Sequence, residues 1–215
     1  MAATGSNKRV VLAPDKFKGS LRASEVAAAL ADGLRRTDPD LLTVAVPIAD
    51  GGDGTVDAVL SAGFVKRVTR VPGPLGDPVD AEFALRGDTA VVELAQSSGL
   101  ARLKPGNLDP MACHTRGVGR VLAAALDAGA RRIVLGVGGS ASTDGGAGML
   151  TELGVRFTDN DGRPLADGGG ALRRLDMVDL TGLDPRLRAT EVILACDVDN
   201  PLLGEQGAAA VYAPQ

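Results

Sequence analysis

The chain has 215 residues, 45% hydrophobic and 23% charged, with 23 Lys and Arg against 27 Asp and Glu for a net charge of −4. This is ordinary globular usage, which excludes disorder throughout and leaves room for one large domain or two small ones. A mildly acidic chain with 2% aromatics has neither the field that draws phosphate backbones or anionic lipid nor the flat faces that stack bases, so no nucleic-acid or membrane partner is expected.

In chain order, Arg9–Ala13 reads as a short buried strand, followed by the loop Pro14–Ser20. A helix is predicted over 24–36, with Val26, Leu30 and Leu34 at helical spacing and Ser24 as N-cap. A strand over 42–48 leads into the loop ADGGDG, and a short helix over 55–62 is closed by Gly63. The pattern to this point is β-α-β-α. Strands are then predicted over 65–71, 79–85 and 89–93, the last two joined by a tight hairpin at Gly87-Asp88. This change of texture sets the expected domain boundary, with residues 1–64 in one unit and 65–215 in a second. A helix over 115–128, a strand over 132–137, the loop GGSASTDGG and a helix ending at Gly154 follow. A strand over 155–158, a Gly- and Asp-rich stretch over 164–188 and a strand over 192–198 complete the pattern. The fold class is α/β.

The acidic residues are skewed, 21 Asp against 6 Glu, and Gly totals 29. Asp and Gly build turns and helix entries, but also phosphate and Mg²⁺ sites, where short carboxylates and bare backbone approach a ligand. Position separates the two uses. Three polar loops each follow a predicted strand, and in open α/β sheets ligands sit at the carboxyl ends of strands. The first loop carries Lys16 and Lys18, mobile ammonium charges suited to phosphate, although a solvated loop with surface lysines has the same look. The second carries Asp50 and Asp53 on a Gly51, Gly52 and Gly54 framework; these carboxylates suit Mg²⁺ or a substrate hydroxyl, or Asp53 caps the next helix. The third, over 136–146, offers Gly138, Gly139, Ser140 and Thr143 to phosphate oxygens and Asp144 to a metal. It lacks the Gly-Lys-Ser/Thr of a Walker loop. Gly136, Gly138 and Ala141, with Asp159 after the next strand, also match a dinucleotide fingerprint, which leaves a dinucleotide-dependent oxidoreductase as the alternative.

At the last strand end, Asp197 is placed to orient an alcohol or accept its proton, and Asn200 to bind a hydroxyl or carboxylate. Cys113 and Cys196 make no disulfide framework and suit a reducing, cytoplasmic setting. Both, with the lone His114, read as structural, Cys196 as buried packing. No apolar run is long enough for a membrane span, and the N-terminus has no signal-peptide core.

The segments APDKFKGSL, PIADGGDGTVDAV, GVGGSASTDGGAGMLTELG and ACDVDNPLLGEQGAAAVYAPQ together resemble the bacterial-type glycerate kinase family, in the same order and spacing. The resemblance implies ATP-dependent phosphorylation of D-glycerate, the 2-phosphate favoured. It also implies two α/β domains, one flavodoxin-like and one restriction-enzyme-like, with the site between them. Members of that family continue past the position of Gln215, so the chain corresponds to an N-terminal portion, and the remainder would complete the flavodoxin-like domain. The partners expected are D-glycerate and either a separate C-terminal portion or a second copy of the chain. The residue roles read as Lys16 and Lys18 for phosphate charge and Gly138, Gly139, Ser140 and Thr143 for phosphate oxygens. Asp53 or Asp144 would hold Mg²⁺, Asp50 and Asn200 the substrate, and Asp197 would act as base.

Overall fold

Alternation of side chains along three antiparallel strands organises the larger part of the molecule. The computed structural model describes residues 8–17 and 20–214. Strands β3 (Val65–Pro72), β4 (Pro78–Arg86) and β5 (Thr89–Glu93) form a meander, and Gly87, at φ 59°, makes the β4–β5 turn in a conformation that only glycine adopts cheaply. Strands β6 (Arg132–Gly136) and β9 (Glu191–Ala195) extend this sheet in parallel beyond β5, giving the order β3-β4-β5-β6-β9.

Successive residues of these strands face opposite sides. Ala84, Val91 and Val134 meet Val56, Val59 and Leu60 of helix α2 (Thr55–Leu60) on one side. Phe83, Ala90, Val92, Ile133 and Leu135 face the other, where α4 (Arg116–Asp127) lays down Val118, Val121, Leu122, Ala125 and Leu126. That helical i, i+3, i+4, i+7 stripe is what makes α4 a core helix. Burying one such Val or Leu side chain stabilises by about 1.5–3 kcal/mol. Helix α2, grouped with the first 64 residues by the sequence pattern, therefore packs on the five-stranded sheet.

The N-terminal segment forms a smaller β-α-β unit: β1 (Arg9–Leu12) pairs in parallel with β2 (Leu42–Ala45), and α1 (Ala23–Thr37) covers Leu12 with Ala27 and Ala31. Helix α1 starts at Ala23, one residue before the predicted Ser24 cap. The reason is local, because Glu25, at the third helical position, turns back to accept the Arg22 N–H at 2.7 Å and so fixes Arg22, not Ser24, as the N-cap. The faces of β1 and β2 away from α1 carry exposed Val11 and Val44, and Val46 and Ile48, also exposed, follow β2. Edge strand β9 likewise exposes Val192, Ile193 and Leu194.

Before β9 also lie the short helices α3 (Ala95–Ser98) and α5 (Ala147–Glu152), the two-stranded antiparallel pair β7 (Arg156–Thr158) with β8 (Met177–Asp179), and 3₁₀ turns at Leu100–Arg102, Gly169–Arg174 and Pro185–Ala189. Helix α6 (Ala208–Tyr212) follows β9. Among the described residues, no helix is long and apolar enough to cross a membrane.

Candidate active site

Because β5, β6 and β9 run parallel, their carboxyl ends lie on one side of the sheet, at Glu93, Gly136 and Ala195. The Asp50–Gly54 loop is laid across these ends. The Gly138 N–H donates to the Gly51 carbonyl at 3.2 Å, and the Val137 N–H donates to the Ala195 carbonyl at 3.3 Å. A side chain on Gly136 would run into the Gly51 carbonyl, one on Gly138 would stand 2.8 Å from Gly52 Cα, and one on Gly51 (φ 90°) would strike the Ala195 carbonyl. The bareness of Gly51, Gly136 and Gly138 is thus accounted for by backbone crossing backbone. Gly139 differs: at φ 72° it faces the Asp53 carboxylate, and a Cβ there would stand 3.2 Å from Asp53 Oδ1. The second and third polar loops therefore meet.

The first loop joins them. Lys16 Nζ donates to Asp50 Oδ1 at 3.3 Å and lies 3.8 Å from Asp15 Oδ1. Lys18 lies outside the described residues. Asp50 Oδ1 also accepts the Gly52 N–H at 2.9 Å. That backbone bond first, and the Lys16 ammonium after it, hold the Asp50 carboxyl below the usual carboxylate range against the opposing pull of burial. The stabilisation from Asp50 is present above its unfolded pKa and is lost as pH falls through the lowered folded value. Denaturation of Asp50→Asn should accordingly lose less stability than the parent between about pH 5 and about pH 3. The difference should be only about 0.5 kcal/mol, because the group is half-exposed.

The remaining sequence-predicted residues are dispersed over different tasks. Asp144 is buried, and its carboxylate is saturated: Oδ2 accepts from Thr115 N (2.8 Å), Thr115 Oγ1 (2.8 Å) and Gly148 N (3.0 Å), and Oδ1 from Gly146 N (3.1 Å). It ties the start of α4 to the start of α5 and has little capacity left for a metal. Asp144→Ala strands four donors, three of them buried, so it should cost about 3 kcal/mol and lower Tm by about 6–12 °C in thermal denaturation. A Tm within about 2 °C of the parent would contradict this clamp. Thr143 turns its hydroxyl to the Pro110 carbonyl at 2.5 Å. Ser140 accepts the Ser142 N–H at 3.0 Å and lies 2.9 Å from Ser142 Oγ, while its backbone bridges Gly99. Asn200 is held at both ends of its amide, donating to the Gln206 carbonyl at 2.9 Å and accepting from the Tyr212 hydroxyl at 3.0 Å. Asp197 is exposed just beyond β9 and takes no partner among the described residues.

Two expectations are corrected. Cys196 is exposed rather than buried, because it lies one residue past the end of β9, with its thiol at the Val198 carbonyl. The dinucleotide alternative also fails on geometry. Strand β7 is not in the main sheet, and Asp159 accepts the N–H groups of Asp161 and Arg163 in a tight turn instead of facing the Gly136–Ala141 loop. Cys113 and His114 are buried, as expected of structural residues.

Sequence reasoning missed Glu93. It ends β5 fully buried, with Oε1 accepting the Val56 N–H at the start of α2 and Oε2 the Gln96 side-chain amide at 3.2 Å. Burial pushes its carboxyl up, against those hydrogen bonds. The available signal was a single acid interrupting the otherwise apolar run Ala90–Leu94. A cavity of about 260 Å³ lies apart from these loops, between α5 and β7, with Arg116 and Asp167 in its wall. Those two charges pair with each other at 2.6 Å, and neither polar loop residues nor Asp197 line the cavity, so the strand ends are the stronger candidate.

The model of the glycerate kinase family matches residues 10–215. The chain belongs to the glycerate kinase family. It is 46% identical to a glycerate kinase of Halalkalibacterium halodurans over 209 residues and 45% identical to the glycerate 2-kinase of Escherichia coli K12 over 210 residues. Each match covers 96% of this chain and 55% of the relative, so the chain spans about half the length of the curated relatives it matches. A crystal structure from Salmonella typhimurium LT2, provisionally named glycerate kinase 2, superposes with a TM-score of 0.84 at 44% identity, covering 96% of this chain and 57% of that one. The mixed α/β architecture is shared across this glycerate kinase-family likeness.

Proposed function

We propose that this chain carries the phosphoryl-transfer site of an enzyme that moves the γ-phosphoryl group of ATP to a hydroxyl of D-glycerate, the 2-hydroxyl favoured. The observation that carries the reading is the meeting of Lys16, Asp50, Asp53 and Gly139 over the carboxyl ends of β6 and β9. The names of the relatives support the substrate, and the E. coli relative's name supports the carbon.

Phosphoryl transfer needs positioning and charge neutralisation more than covalent chemistry. Lys16, already oriented by Asp50, brings a positive charge toward the transferring phosphate; Lys18 is assigned the same duty. Backbone at Gly139, with Ser140, is assigned to phosphate oxygens; Gly138 and Thr143 shape the loop instead, since the Gly138 N–H and the Thr143 hydroxyl are already given to the Gly51 and Pro110 carbonyls. Asp197 accepts the hydroxyl proton as the glycerate oxygen bonds to Pγ and the bond from Pγ to the ADP oxygen breaks. Asp50 and Asn200 hold the substrate.

Among the described residues no cluster of three or more His, Cys, Asp or Glu has the geometry of a metal site. A nucleotide-borne Mg²⁺ asks for less, since one or two carboxylates suffice beside phosphate oxygens and water. Asp53, exposed and facing bare Gly139, fits that requirement, whereas saturated Asp144 does not. Bound there, the ion would neutralise phosphate charge.

The exposed apolar residues of β1, β2 and β9 support a partner. The occupant we favour is a polypeptide corresponding to the remaining length of the relatives; a second copy of the chain is the other reading. The site's exposure to water and the two free cysteines fit a reducing cytoplasm. The test is D-glycerate-dependent ADP release, with and without the C-terminal half of the H. halodurans relative, the product identified by ³¹P NMR. Turnover that depends on D-glycerate supports the function, and none under either condition overturns it.

A further inference from the structure

We propose that Glu93 is a positioning residue for this site, acting through the first turn of α2 to hold Asp53 against Gly139. The proposal rests on the phosphoryl-transfer reading and deepens it. Packing gives no reason for an acid at this position. The rest of β5 is apolar apart from Thr89, neighbouring side chains are buried, and an apolar residue would avoid the cost of placing a carboxylate in the interior. What the carboxylate does is accept from two donors that converge on it. One is the Val56 N–H, three residues after Asp53. The other is Gln96 Nε2, whose amide cannot turn over without cost, because Gln96 Oε1 accepts from Arg102 Nη2 at 3.1 Å and from the Glu82 N–H at 3.4 Å. The network thus demands an acceptor on both oxygens of residue 93, which a carboxylate supplies and an amide does not.

The place of Glu93 in the sheet makes this anchoring useful. It pairs in register with Gly136, over which Gly51 passes, and Leu94 N–H donates to the Gly136 carbonyl at 2.8 Å. Glu93 therefore grips the far end of the loop whose near end is pinned by Gly51 and Gly138. Between the two anchors stands Asp53. A loop held only at Gly51 would let Asp53 swing away from Gly139, and a displacement of about 1 Å in a phosphoryl-transfer site costs up to about 100-fold in rate.

The test is Glu93→Gln in the full chain. Relief of the buried charge offsets part of the lost hydrogen bond, so Tm should stay close to the parent, while amide exchange of residues 52–56 should speed up about tenfold. In the D-glycerate-dependent assay, KM for Mg²⁺-ATP should rise about tenfold, with KM for D-glycerate within about twofold. Gln96→Ala, which leaves Glu93 in place but frees one of its oxygens, should move both readouts the same way by about threefold. Unchanged exchange at residues 52–56, or a loss of activity that simply tracks a lowered Tm with both KM values intact, would overturn the proposal. If the parent shows no turnover, the function reading fails, and the exchange measurement alone decides the role of Glu93.

Discussion

Asp197→Asn should lower the turnover of D-glycerate phosphorylation by about 10²–10⁴-fold while leaving the Kd for Mg²⁺-ATP within about twofold of the parent. Asp197 follows the carboxyl end of β9, beside the crossing of Gly51 over Ala195, and takes no partner among the described residues. A carboxylate that props up no structure is free to accept a proton, whereas Asn keeps the shape and loses that capacity. Because the change removes a group used as the new bond to phosphorus forms, kcat should fall and nucleotide binding should not. Steady-state kinetics beside calorimetric titration separates the two, and turnover within about threefold of the parent would remove Asp197 from the base assignment.

The second large effect is structural. Gly51→Ala should destabilise the protein by roughly 2–4 kcal/mol, the sum of a left-handed backbone penalty and an overpacked contact. Gly51 sits at φ 90°, and its new methyl would meet the carbonyl of Ala195. The Asp50–Gly54 loop could remain only by lifting from β6 and β9, which would also separate Asp53 from Gly139 and abolish measurable turnover. Gly54 provides the control. It has a similar φ of 95°, but a Cβ there meets nothing within 4 Å. Gly54→Ala should therefore cost only about 1–2 kcal/mol, with the site intact. Chemical denaturation of the pair isolates the contribution of close approach. Equal losses would mean that backbone conformation alone explains both glycines.

These contrasts show what could be read in the sequence and what could not. The meander was legible almost to the residue, because period-2 alternation and the Gly87-Asp88 turn are local signals. The strand expected over 42–48 ends at Ala45 instead. Pro14, opposite this continuation, has no N–H to give back to the ladder, although the Val46 and Ile48 N–H groups still reach the Leu12 and Pro14 carbonyls. Strand β8 was invisible because three residues within a polar stretch carry no period.

The site divides along the same line. That three loops would gather at strand ends follows from α/β topology, and Lys16, Asp50 and Asp53 do gather. Asp144 could not be separated from Asp53 by inspection, since both sit in Asp-Gly-rich turns before a helix. What distinguishes Asp144 is Thr115, 29 positions away in the chain, whose N–H and hydroxyl reach its carboxylate. Glycines that suggest a phosphate cradle at Gly136 and Gly138 are explained by a crossing loop that is equally distant in sequence. Glu93 was overlooked for the converse reason, because its partners Val56 and Gln96 belong to different elements.

The central claim is that the loops after four strands, β1, β2, β6 and β9, act as one ligand-binding unit. Hydrogen exchange on the chain with its C-terminal complement, before and after adding Mg²⁺-ATP and D-glycerate together, tests it most directly. The account predicts slower exchange at Lys16, residues 50–54, residues 138–140 and residues 196–198 in concert, with the wall of the cavity between α5 and β7 unchanged. Protection confined to that cavity wall, or absent from any one of the four segments, would contradict it.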